Sequence, residues 1–144
     1  VVFLNKIESS HQYRMEIAIG TSHPIYCTAQ GKAIIAFRPE NERDTFCDTM
    51  QSLKAFSANT ITSPKAFKEE IVAIRKRGFA INRDEYFAGM SGVAAPVSDY
   101  TGFAVYSVSV AGPSDRMPLD LLMRIGEDLK RVCNQISAIL GRPE

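Results

Sequence analysis

Two strand-like segments separated by a very short turn most constrain how this chain can fold. Gly92–Ser98 and Phe103–Ala111 are rich in small and β-branched residues, and only the turn "DYTG" lies between them. So short a connection favours antiparallel pairing, because parallel strands need a crossover of a dozen or more residues. A third apolar run, Phe79–Arg83, lies shortly upstream. The sequence therefore predicts an antiparallel sheet.

Helical segments lie on both sides of these strands. The clearest helix start is Ser63-Pro64, because Ser63 can cap the helix, Pro64 suits its first turn, and Gly78 is placed to end it. This combination of grouped helices and closely connected strands predicts an α+β fold rather than a doubly wound one. The other predicted elements are helices from the cap Thr28 to Phe37, over Glu40–Met50 and over Leu119–Leu140, and strands at Val1–Ile7 and Met15–Gly20.

Composition narrows the class of protein. The 144 residues suit one domain with a substantial core, and 17 Lys and Arg against 16 Asp and Glu create no field that attracts nucleic acid or an anionic membrane. The three cysteines form no CxxC pair, which predicts reduced thiols in a cytoplasmic protein. No signal-peptide pattern and no apolar run near twenty residues is visible, so no membrane partner is expected.

The sequence contains few residues that could carry out catalysis. His11 and His23 are its only histidines, and no His and Cys cluster has the spacing of metal ligands. A Cys27 nucleophile with a distant histidine is the enzymatic alternative, although buried, inert thiols are the more common case. The segment "GMSG" does not match a phosphate-binding fingerprint. We therefore expect no enzyme, no metal and no cofactor.

Two features indicate a small polar cavity. Strand Phe103–Ala111 places Ser107 and Ser109 on one otherwise apolar face, where they either face solvent or line a cavity that Gly92 leaves open. Both interpretations remain open at this level.

The second feature is the helix start after Thr28. The backbone N–H groups of Ala29, Gln30 and Gly31 have no partner within the helix, and an anion there is favoured by about 0.3–1 kcal/mol, rising to about 2 when partly buried. Gly31 lowers helix propensity, which indicates close approach by a backbone or a ligand. Alternatively, Gly31 packs against a strand and Lys32, whose charge is unfavourable at a helix start, is solvated.

Three segments together resemble the effector-binding domain of IclR-type transcriptional regulators. They are "CTAQGKAIIAF", "IRKRGFAINRDEYFAGMSGVAAPVSDYTG" and "YSVSVAGPSDR", and they keep the order and spacing of that family over nearly the whole chain. The resemblance implies a GAF-like or PAS-like antiparallel sheet flanked by helices. It also implies that residues 1–144 form one effector-binding domain that is truncated at its N-terminus. Such a domain binds a small organic acid and controls an N-terminal winged helix-turn-helix, which is absent from this sequence.

The resemblance also implies a pocket. The anion-holding backbone falls at Ala29 and Gln30, Asn82 stands where many relatives have Asp, and Gly92 replaces a Cys of the relatives' "GLRC" segment. One serine of the relatives' "SISGP" is kept as Ser109, whereas the other is replaced by Ala111. The full set of expected effector-binding residues is Met15, Ala29, Gln30, Gly31, Asn82, Glu85, Met90, Gly92, Ser107 and Ser109.

The expected function is sensing of a small carboxylate by a homodimer or homotetramer. The effector would be a keto acid, a sugar acid or an aromatic acid, and DNA would be bound only through the absent N-terminal domain. A partner subunit could cover an unpaired sheet edge. The alternatives are a small-acid enzyme that uses Cys27 and a purely structural dimerisation domain.

Overall fold

The computed structural model describes residues 1–10, 17–50 and 53–143, and it confirms the α+β class. The predicted internal helices and the three-stranded sheet are present. The elements are α1 (Ala29–Ala36), α2 (Glu40–Asp48), α3 (Pro64–Arg77), β1 (Ala80–Arg83), β2 (Met90–Ser98), β3 (Ala104–Pro113) and α4 (Leu119–Ile139).

The helix boundaries follow from the capping residues that the sequence shows. Thr28 Oγ1 accepts a hydrogen bond from the Gly31 N–H at 3.2 Å, and Ser63 Oγ accepts one from the Ala66 N–H at 3.4 Å. Gly78 ends α3 with a φ of +93°, a left-handed conformation that glycine adopts without a steric penalty. These short-range interactions explain why the helix ends could be predicted well.

The sheet is antiparallel in the order β1-β2-β3, so β2 is its central strand. Residues Val93, Ala95 and Val97 of β2 belong to one core, which includes Leu122 and Cys133 of α4. Ala94, which points to the opposite face, belongs to a second core with α1 and α3. The sheet therefore separates α4 from α1 and α3, and no described helix is both long and apolar enough to cross a membrane.

The two strands predicted near the start of the chain are not confirmed. Val1–Ile7 forms no strand and contributes only an isolated bridge between Val2 and Ser22. Ile17 to Gly20 form loop and turn, whereas Met15 and the rest of 11–16 lie outside the described residues. Ile7 and Ile19 are exposed, so the apolar alternation in these segments does not correspond to a buried strand face.

Close packing between α4 and the start of β1 depends on Gly126. A Cβ at Gly126 would lie 2.3 Å from Cε2 of Phe79, whose side chain is fully buried. The glycine therefore permits a helix-to-ring contact that any other residue would disrupt.

We expect Gly126→Ala to destabilise the fold. Overpacking a core costs about 1–3 kcal/mol, which exceeds the helix-propensity gain of about 1 kcal/mol that alanine provides. The free energy of unfolding in urea should fall by up to about 2 kcal/mol. Gln135→Ala, at an exposed position of α4, is the matched control and should stay within about 0.5 kcal/mol of wild type. A Gly126→Ala protein as stable as wild type would contradict this packing argument.

Candidate binding pocket

A pocket of about 410 Å³, counting its open mouth, lies at the N-terminal end of α1. The space that a water-sized sphere can occupy in it is about 40 Å³, below the range of about 300–1,000 Å³ typical of small-molecule sites, so the described residues form a small, open cleft. Five of the expected effector-binding residues line it, namely Ala29, Gln30, Asn82, Met90 and Gly92. The structure thus brings together residues from α1, β1 and β2 that are up to 63 positions apart in the chain.

The first turn of α1 brings two backbone N–H donors to this wall. Thr28 Oγ1 accepts from the Gly31 N–H and donates to the Pro24 carbonyl at 2.7 Å, so the cap satisfies one first-turn donor. Within the described residues, the N–H groups of Ala29 and Gln30 donate to no acceptor. The first turn carries no acidic side chain that would compete for them. The pocket wall therefore favours a negatively charged group.

Gly31 does not line the pocket, and its role is steric. A Cβ at this position would lie 2.3 Å from the carbonyl oxygen of Ile25. The loop that precedes α1 therefore folds directly against the helix, and only glycine allows this distance. The predicted close approach of a backbone to Gly31 is confirmed, but that backbone belongs to this loop and not to a strand.

Asn82 joins two walls of the pocket. Its Nδ2 donates to the Cys27 carbonyl, and its Oδ1 accepts from the Glu85 N–H at 3.1 Å. Both ends of the buried amide are thus bonded to backbone groups. Asn82 holds the start of α1 next to the β1–β2 loop, residues 84–89.

Glu85 lies outside the pocket lining and forms a buried ion pair with Lys32. Their charged atoms, Oε1 and Nζ, are 2.6 Å apart, and Nζ also donates to the Ile81 carbonyl at 2.8 Å and to Glu70 Oε1 at 3.3 Å. Lys32 is only 1% exposed, so the interpretation of a solvated lysine was wrong. Burial raises the pKa of Glu85, and the Lys32 charge opposes that effect.

Further hydrogen bonds hold the β1–β2 loop. Asp84, at a φ of +57°, accepts at Oδ1 from the Gly89 N–H and from the Ser114 hydroxyl, each at 2.7 Å. The Thr60 hydroxyl donates to the Glu85 carbonyl at 2.6 Å. The charged residues that precede Tyr86 and Phe87 therefore hold these two aromatic side chains at the pocket.

Ser107 and Ser109 face α1 and do not line the pocket. Ser109 Oγ accepts from Gln30 Nε2 at 2.8 Å, and the Ser107 hydroxyl donates to the Gln30 carbonyl at 3.4 Å. Both serines are half-buried. Their hydroxyls orient Gln30, which does line the pocket, so they can influence a ligand through that residue.

Sequence reasoning missed the aromatic part of the lining. The His23 ring lies 5.0 Å from Phe3, 4.9 Å from Tyr86 and 5.7 Å from Phe87, measured between ring centroids. All four side chains line the pocket, together with the missed residues Ile17 and Ser91. The only sequence signal was the adjacent pair Tyr86-Phe87 in an otherwise charged loop, because the other two rings come from separate segments.

The Cys27 thiol does not have the properties of a nucleophile. It is fully buried, and burial raises its pKa to about 12. At neutral pH almost all of it is therefore the unreactive thiol rather than the thiolate.

Comparison with known proteins identifies the family of this domain. The family model for the bacterial transcriptional regulator IclR C-terminal domain matches residues 1–138. The chain belongs to the IclR family. It corresponds to the C-terminal effector-binding domain, as the resemblance implied.

Individual relatives agree with this assignment. The probable transcriptional regulator SauR of Cupriavidus necator is 34% identical over 94% of this chain and 54% of SauR. The crystal structure of the Thermotoga maritima IclR superposes with a TM-score of 0.91 at 34% identity, covering 97% of this chain and 56% of that one. The C-terminal domain of E. coli KdgR gives a TM-score of 0.76 at 28% identity, covering 85% and 74%. The chain spans about half the length of the curated relatives it matches.

We expect Lys32→Met to destabilise this IclR domain strongly, because it leaves the Glu85 carboxylate buried without its cation. Breaking a buried pair in this way costs about 3–5 kcal/mol, whereas replacing both partners by apolar residues is often neutral. The double variant Lys32→Met/Glu85→Leu should therefore recover most of the loss in urea unfolding.

Lys68→Met is the control for this comparison. Lys68 pairs with Asp48 at 3.6 Å on the surface, and its removal should cost less than about 1 kcal/mol. Equal losses for Lys32→Met and Lys68→Met would show that the buried pair does not hold the structure.

Proposed function

We propose that this domain binds a small carboxylate effector and thereby alters DNA binding by another part of the regulator. The observation that carries the proposal is the pair of N–H groups at Ala29 and Gln30, which have no acceptor among the described residues and lie at the wall of this pocket. A carboxylate there would accept two hydrogen bonds at the positive end of a helix. Keto acids, sugar acids and aromatic acids are the classes to test.

The walls of the pocket suggest how binding would be transmitted. They come from α1, from the β1–β2 loop and from β2, so an occupant contacts three elements at once. Binding can shift a regulator only if the effector has different affinities for two arrangements of the protein. We infer that the effector favours one relative arrangement of subunits, which sets the position of the DNA-binding parts.

The two alternatives make different predictions. A small-acid enzyme would need a reactive Cys27 thiolate, which the raised pKa of Cys27 disfavours. Turnover of an acid by such an enzyme would be lost in Cys27→Ala. A purely structural domain would show no ligand-induced stabilisation. Saturating an acid site at a hundred times its Kd should add about 2.7 kcal/mol to stability, which a thermal-shift screen of the three acid classes would detect.

Regulation of DNA would place the protein in the cytoplasm.

We expect Ala29→Pro to weaken acid binding while keeping the fold. Proline suits the first helical position, and the preceding Thr28 already has the extended conformation that proline requires, with φ −121° and ψ 144°. The change replaces one free N–H by a CH₂ group. A hydrogen bond to a charged group contributes about 1.5–3 kcal/mol, so the affinity for an acid found in the screen should fall about 10- to 150-fold.

Glu40→Pro is the matched control, because it makes the same substitution at the first position of α2, after Pro39 in an extended conformation. Calorimetric titration should give it the wild-type affinity. Unchanged affinity in a folded Ala29→Pro protein would mean that the carboxylate lies elsewhere.

We also propose that the domain forms a homodimer or homotetramer. Tyr106, Val108 and Val110 expose apolar side chains on the α4 side of β3, and the outer edge of β3 pairs with no other described strand. Burial of such a stripe in a partner would remove it from water and cover the edge.

We expect Val108→Lys to weaken this association, because it places a charge in the middle of the stripe. Light scattering at micromolar concentration should show a lower mean mass than for wild type. Val72→Lys, at an exposed valine on α3, should leave the mass unchanged. A monomeric wild-type protein would refute the proposal.

A further inference from the structure

Lys32 holds two carboxylates at the junction of three elements. Its Nζ lies 2.6 Å from Glu85 Oε1 and 3.3 Å from Glu70 Oε1, and it donates to the Ile81 carbonyl at 2.8 Å. An ammonium group has three protons, so these three acceptors use all of them. Lys32 belongs to α1, Glu70 to α3 and Glu85 to the β1–β2 loop, and we call these three side chains the triad.

The second carboxylate oxygen of Glu85 is left without a partner. Glu85 is only 7% exposed, and its Oε2 accepts no hydrogen bond from any described residue. A buried charged oxygen without a hydrogen bond is unfavourable. In addition, two negative charges against one positive charge leave the ionised triad with an excess of negative charge in a buried place.

A proton on Glu85 would remove this excess charge, and it needs no added volume at an atom that is sealed from solvent. Burial raises the pKa of Glu85 most and the charge of Glu70 adds to the rise, whereas the Lys32 charge and the Arg83 backbone lower it. The charge of Glu85 also acts on the Cys27 thiol, which is itself neutral at pH 7 because burial raises its pKa to about 12. Glu85 is therefore the group of the triad at which a proton is favoured.

We propose that the triad is a proton-operated latch on the β1–β2 loop. Proton uptake by Glu85 removes the repulsion from Glu70 and leaves the hydrogen bond from Lys32 in place. The loop is then held more firmly against α1 and α3 than it is when Glu85 is ionised. Because the loop supplies Tyr86 and Phe87 to the pocket lining, pH acts on this wall of the pocket whether or not the pocket binds an acid.

The direction of the pH effect follows from the raised pKa of Glu85. A carboxyl group that binds its proton more tightly in the folded chain contributes stability below its ordinary pKa of 4.5, and this contribution is lost as the pH rises through the folded pKa. Between these two values the unfolding equilibrium constant of wild type should rise by up to about tenfold per pH unit, relative to a variant that cannot titrate at this position.

Glu85→Gln is that variant, because the amide keeps the shape of the side chain and an oxygen that can accept from Lys32, but carries no charge. Urea unfolding between pH 4.5 and 8 should give a stability difference that moves in favour of Glu85→Gln as the pH rises. Glu127→Gln removes an exposed carboxylate of α4 and is the matched control, which should follow the wild-type profile. A difference between wild type and Glu85→Gln that stays constant over this range would overturn the proposal.

A carbon-13 NMR titration of the Glu85 carboxyl carbon tests the site directly in the wild-type protein. Its midpoint should lie above the ordinary value of 4.5. Glu70→Gln should lower that midpoint, because it removes the like charge. A midpoint at or below 4.5, or an unchanged midpoint in Glu70→Gln, would overturn the role of the triad, and this readout holds even if Glu85→Gln does not fold.

Backbone amide exchange tests whether the proton acts on the loop. Wild type and Glu85→Gln are compared at one pH, so that the pH dependence of exchange itself cancels. At pH 8, residues 87–89 should exchange more slowly in Glu85→Gln than in wild type, and the difference should shrink at pH 5. Equal or faster exchange in Glu85→Gln at pH 8 would show that the charge of Glu85 does not loosen the loop, and would overturn the latch.

Discussion

The buried ion pair between Lys32 and Glu85 is the interaction on which the pocket depends. Removing two charges from water costs several kcal/mol for each ion, and the contact at 2.6 Å together with the bonds of Lys32 to Ile81 and Glu70 offsets part of that cost. Glu85 Oε2 has no partner among the described residues. The pair connects α1 directly to the β1–β2 loop. Because α1 and the loop both line the pocket, this connection sets the distance between Ala29 and Gln30 on one side and Tyr86 and Phe87 on the other.

Hydrogen bonding divides the polar groups of the pocket into two sets. One set holds the protein together: Asn82 joins Cys27 to Glu85, and the two serines of β3 orient Gln30. The other set is unpaired within the described residues and consists of the N–H groups of Ala29 and Gln30, the His23 ring and the Tyr86 hydroxyl. The groups of the second set can bond a ligand without the loss of a protein contact.

Local signals explain which predictions succeeded. Thr28, Ser63 and Gly78 act on residues within a few positions of themselves, and the helix ends that they predict are present. The antiparallel pairing of β2 and β3 likewise follows from the short turn between them. The strand-like run Val1–Ile7 and the apolar alternation at Ile17 and Ile19 were misleading, because such patterns form a strand only when the rest of the fold supplies a partner strand and a surface to bury it.

The sequence by itself determined the fold class, the helix caps and the family, because these depend on short-range patterns and on motifs that can be read in order. The resemblance to the family then named five residues that line the pocket. Only the tertiary structure decided that Lys32 is buried and paired with Glu85, that Ser107 and Ser109 act through Gln30, and that His23 is held among three rings. Each of these facts joins residues from separate segments, and Lys32 and Glu85 are 53 positions apart. The energy of such contacts depends on burial and distance in the folded chain, which no local pattern encodes.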